Sequence, residues 1–186
     1  MKRISKICNG IDTINDWLGK VFSLLVAGIL GVVMIEVVLR RLFSRPQIWT
    51  QDMIVMLFAC YVILISAYGF LNKAFVAVDI LFARLNKKSQ YILHLVTYLI
   101  FFIPFTFAML PASWRFFYKA WAAGEKSYSV WAPVVWPEKL CFFIGLLLLS
   151  VQGISEILKQ IIGISESLKE ERTSKIKKLE EKEENT

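Results

Sequence analysis

The chain has 186 residues, 56% of them hydrophobic, and its mean hydropathy of +0.55 lies outside the range of ordinary soluble domains. The formal net charge is +7, but Lys and Arg collect at the chain ends and between apolar runs instead of forming a stripe, which excludes a nucleic-acid partner and points to charge flanking a membrane. Cys8, Cys60 and Cys141 have no C-x-x-C spacing and the later two lie in or beside apolar runs, so they read as packing residues and not as a disulfide framework or metal site.

Residues 4 to 20 place Ile4, Ile7, Ile11, Ile14 and Leu18 at steps of three and four with polar residues between them. That spacing predicts an amphipathic helix able to lie along a membrane surface. Trp17 falls where the chain enters the bilayer, a position suited to a ring with one apolar face and one hydrogen-bonding edge. No small-residue cleavage signal follows, so the first apolar run reads as a mature span.

Val21 to Leu39 is 19 residues with Glu36 as its only charge, and Met53 to Leu71 is 19 residues with none. As helices each covers about 28 Å, close to the hydrocarbon thickness of a bilayer. Gly28 and Gly31 would allow close approach of another helix. Glu36 stands one turn before Arg40, which makes an i, i+4 ion pair available; a direct transport role for this intramembrane carboxylate is the sharper reading. Between the two spans Pro46 stops the helix, Trp49 marks an interface, and Thr50 is expected to cap the second span, with Asp52 in its first turn where the helix dipole favours a carboxylate.

Residues 73 to 90 mix apolar side chains with Asp79, Arg84, Lys87 and Lys88, too short and too charged to span, and predict an interfacial connector with Asp79 as a cap. A third span follows over roughly 91 to 114, expected to kink at Pro104 and Pro111. It holds His94, the chain's one histidine, which excludes a cytochrome with two axial histidines from this chain alone. The polar stretch 115 to 139 contains Arg115, Lys119, Glu125, Lys126, Trp131, Pro133, Trp136 and Pro137, and predicts a fixed turn packed at the membrane surface. A fourth span covers about 140 to 158, and a Glu- and Lys-rich tail, solvated helix or disordered, occupies 164 to 186.

The fold class expected is therefore an all-α membrane protein: an amphipathic cytoplasmic interfacial helix at 1 to 20, a four-helix membrane domain at 21 to 163, and a charged cytoplasmic tail. Lys and Arg favour both termini inside, a preference that leans on the tail. No phosphate loop, zincin motif, nucleophile elbow or paired metal ligands occur, so no enzymatic activity and no cofactor is expected.

Taken together, certain segments resemble the small membrane subunit of tripartite ATP-independent periplasmic transporters, the DctQ family. They are Glu36-Val-Val-Leu-Arg40-Arg-Leu-Phe, Pro46-Gln-Ile-Trp49-Thr-Gln-Asp52, Gly69, Val76-Ala-Val78-Asp79-Ile-Leu, and Gly124-Glu125-Lys-Ser followed by Trp131, Pro133, Pro137 and Lys139. Lys73-Ala-Phe75 departs from the family, where relatives often carry a histidine. The resemblance implies an uptake system in a bacterial or archaeal inner membrane. In it a periplasmic binding protein captures an organic acid and a large DctM-type subunit moves it with an ion gradient, usually of sodium bound by that partner. The small subunit braces the large one. On this reading Glu36, Arg40, Trp49, Asp52, Asp79, Glu125 and Trp131 are candidates for structural ion pairing or a subunit interface, and Arg41, Arg45, Lys119 and Lys126 for periplasmic docking. The alternative is a self-sufficient four-span carrier working as a homodimer, with Glu36 coupling to protons.

Overall fold

In the computed structural model, residues 2–44, 47–72 and 86–184 are described. They form α1 (Lys2–Leu42), α2 (Ile48–Leu71), α3 (Lys87–Thr97), a π-helical turn (Tyr98–Phe102), α4 (Ile103–Ala123) and α5 (Trp136–Glu184). Four helical stretches are long and apolar enough to cross a membrane: α1, α2, the α3–α4 run and α5. The chain is a multi-pass membrane protein, all-α among the described residues.

Two helices exceed what a bilayer requires. α1 has 41 residues and α5 has 49, about 60 and 70 Å at the usual rise, against an apolar layer of about 30 Å. The amphipathic segment before residue 21 is thus not a separate helix: it continues into the first span without a break. No Gly or Pro interrupts residues 11 to 27 other than Gly19, and Asp12 and Asn15 there find partners on α5. The helix of the fourth span likewise runs on through the charged segment to Glu184.

α5 is the central helix. It packs on α1, α2, α3 and α4, and 39% of its most apolar window is buried inside the protein, against none for α1 or the α3–α4 run. Gly145 sets the closest approach: a Cβ there would lie 2.6 Å from the Ile63 carbonyl oxygen, so only a residue without a side chain lets α5 rest on the α2 backbone. Further along, the Phe102 ring fills the space beside Gly153 and stacks on Phe70 of α2, with centroids 5.3 Å apart. Ile63 with Gly145, then Phe70 with the ring beside Gly153, make α2 and α5 parallel. Gly28 and Gly31 meet no side chain or backbone of another helix; the close approach they permit is not used within this chain.

The two prolines of the third span act differently. Pro104 stands at the start of α4, just after the π turn. Its ring removes one amide and crowds the carbonyl four residues back. The wider turn relieves this, with the Ile103 amide reaching back to the Tyr98 carbonyl. Pro111 is accommodated inside α4.

Candidate functional site

The bundle has a hairpin end, with residues 43, 44, 47–49 and 124–135, and a terminal end, with the start of α1 and the continuation of α5. Polar residues concentrate at both.

At the hairpin end Glu36 links α1 to α2. Arg40 donates to Glu36 Oε1 through Nη2 (2.7 Å) and Nε (3.1 Å), and Thr50 Oγ1 donates to Oε2 (2.5 Å). The Gln47 carbonyl also lies 3.0 Å from that hydroxyl, but one proton serves one acceptor, and the shorter, charge-assisted bond takes it. Both carboxylate oxygens are engaged, which suits a half-buried side chain on an otherwise apolar span. Thr50 is therefore not the cap expected from the sequence: α2 begins at Ile48 with Gln47 at its N-cap and no side-chain cap. Asp52 accordingly falls in the second turn of α2 and outside the first, where the dipole effect would be greatest. Its Oδ2 is buried and makes no hydrogen bond.

The 124–135 connection is an ordered hairpin. Gly124 closes α4 in the left-handed conformation (φ 56°), a geometry that glycine adopts without strain. Lys126 and Val134 form an isolated β-bridge, and the Ser127 amide donates to the Pro133 carbonyl (2.8 Å) while that of Val135 donates to Glu125 (3.1 Å). Lys139, in the first turns of α5, pairs with Glu125 at 2.6 Å and sits 3.9 Å above the Phe116 ring. Its charge is thus held between a carboxylate and an aromatic face. Beneath the hairpin lies a cavity of ≈ 350 Å³, lined by residues including Ala59, Phe116, Glu125, Tyr128, Lys139 and Phe142.

Other sequence-chosen residues are dispersed. Trp49 is half-buried; Arg41, Lys119 and Lys126 are exposed. Trp131, Tyr128 and Val130 project from the hairpin. Arg45 and Asp79, with Pro46 and most of the 73–90 connector, lie outside the described residues.

The largest polar cluster, at the terminal end, went unrecognised in the sequence as a site. Asn15 Nδ2 donates to Gln152 Oε1 (2.6 Å), and Gln152 Nε2 to Asp12 Oδ1 (3.0 Å). Lys159 pairs with both Asp12 (2.7 Å) and Glu156 (2.5 Å), while Ser155 and Cys8 complete the contact between the helices. Gln152, Ser155 and Asn15 are fully or nearly fully buried. The signal was present: positions 152, 155, 156 and 159 share one face of α5, and 8, 12 and 15 one face of α1. Read singly, the α1 set looked like the solvated side of an amphipathic helix. Among the described residues no group of three or more His, Cys, Asp or Glu side chains could hold a metal ion.

Residues 29–163 match the family described as tripartite ATP-independent periplasmic transporters, DctQ component. That match takes in the Glu36–Thr50 link, the hairpin and the Gly145 contact, and leaves out Asp12 and Asn15. The chain belongs to the DctQ family. It is a transporter component and not an enzyme, and the family implies partnership with a large DctM-type membrane subunit and a binding protein. No curated protein and no solved structure matches the chain.

Proposed function

We propose that this DctQ-family subunit is a brace for the large, ion-coupled membrane subunit of an organic-acid uptake system in a bacterial or archaeal inner membrane, with both termini cytoplasmic and the hairpin end periplasmic. The observation that carries the reading is the polar clasping of α1 at both ends: to α2 through Glu36 and Thr50, and to α5 through Asn15, Gln152, Asp12 and Lys159. A helix held so at each end of an apolar span resists tilting. It gives a moving partner a fixed reference. The outward faces of α1 and α4 are apolar, Leu24, Leu30 and Met34 on one and Phe105, Phe107 and Trp114 on the other, and they offer surface to lipid or to the large subunit.

The engagement of both Glu36 oxygens supports a strut more than a proton carrier. Exposed Arg41, Lys119 and Lys126, with Arg45, would steer an acidic face of the binding protein toward the hairpin end. The tagged chain, extracted from its native membrane in mild detergent, is expected to co-elute with the large subunit in a fixed ratio. Elution as a lone homodimer under those conditions would favour the self-sufficient carrier.

A further inference from the structure

The sequence spacing of Cys60 and Cys141 suggests packing residues, yet the fold places them opposite one another on α2 and α5. The register of the two parallel helices places them there: Gly145 rests on the Ile63 carbonyl, and one turn back on each helix lie Cys141 and Cys60. The parallel backbones are thus closest one turn beyond the two cysteines, a register that favours the short Cα separation that a disulfide needs. Both cysteines are half-buried and free. Cys141 is five residues past the start of α5, roughly 8 Å along its axis, on the hairpin side of the span. Cys8, by contrast, lies at the terminal end, buried, with its thiol donating to the Ser155 carbonyl.

We propose that Cys60 and Cys141 form a reversible dithiol–disulfide pair that cross-links α2 to α5, a modification site within the brace. The oxidant is a small diffusible disulfide. One cysteine thiolate attacks a sulfur of that disulfide and expels the other half as a thiolate, leaving a mixed disulfide on the protein. The second cysteine thiolate then attacks the protein-bound sulfur, forming the Cys60–Cys141 bond and releasing the remaining half. Two cysteine thiols lose two protons and two electrons, and one small disulfide becomes two small thiols. The product closes the α3–α4 run into a covalent loop and ties the central helix to α2 near the hairpin end.

The test treats membranes containing the wild-type subunit and its partners with oxidised glutathione, quenches with acid, alkylates free thiols, and reads the intact mass and a peptide map. The expected product has lost two hydrogens, carries one alkyl group, at Cys8, and yields a linked 60–141 peptide. After cleavage in the exposed stretch at Tyr128 to Trp131, the two fragments stay joined on a non-reducing gel and separate on reduction. The Cys60→Ser variant is expected to stop at a stable mixed disulfide on Cys141. Three alkylated thiols, stable glutathione adducts on both Cys60 and Cys141, or a link involving Cys8 would each overturn the proposal.

Discussion

Replacing Gln152 with Leu tests the clasp between α1 and α5. Gln152 is fully buried, accepts from Asn15 and donates to Asp12. Leucine has a similar volume but cannot do either. Asn15 is 3% exposed, so water cannot replace the lost acceptor, and stranding its amide costs about 1–3 kcal/mol. The bond to the Asp12 carboxylate adds about 1.5 kcal/mol by the usual scale for charged partners. Polar contacts between helices in lipid average nearer 0.6 kcal/mol, and added apolar burial offsets part of the loss, so the net expectation is about 2 kcal/mol. The assay is equilibrium unfolding of the purified chain in mixed micelles of mild detergent and dodecyl sulfate. Asn15→Leu alone should cost a similar amount, and the double variant less than the sum by about 1–2 kcal/mol, because the second change removes the group that the first left unpaired. Additive losses, or a Gln152→Leu loss below about 0.5 kcal/mol, would refute the clasp.

Gly145→Ala should destabilise the isolated chain by about 1–3 kcal/mol, because the added methyl meets α2 backbone that cannot rotate away. Gly28→Ala, where the same methyl meets open space, should be neutral or stabilising by up to about 1 kcal/mol in the same unfolding assay. Lys139→Met removes the Glu125 pair and the charge over Phe116. Allowing for the partial exposure of Glu125, loss of about 1 kcal/mol should speed proteolysis near Tyr128 several-fold without altering cleavage elsewhere. Reversing the charge of Arg45 and Lys126 together should raise the binding-protein concentration needed for half-maximal uptake and flatten its salt dependence; uptake unchanged at every concentration would end the docking idea.

Four apolar runs were legible because length and hydropathy alone set a span, and the placement of Glu36 one turn from Arg40 follows from helical spacing. The start of α2 is not legible locally: Thr50 is a good cap in isolation, whereas a carboxylate fourteen residues back is the stronger acceptor. The helix therefore starts earlier. Prolines foretell a disturbance in the third span, but not that Pro104 would be met by a π turn, since that depends on how Phe102 packs between Phe70 and Gly153. The terminal-end clasp was hidden for a related reason. A polar face reads as water-facing until the chain beyond the span is known to fold back against another polar face, and the continuity of α1 and α5 past the bilayer is a tertiary fact.

Reconstitution tests the brace most directly. Vesicles holding this chain alone, the large subunit alone, or both are given the binding protein, the organic acid proposed as its substrate and an inward gradient of the coupling ion expected from the resemblance, sodium. Accumulation is expected only where the large subunit is present, faster with both than with the large subunit alone. Gradient-driven accumulation by this chain alone would contradict the account.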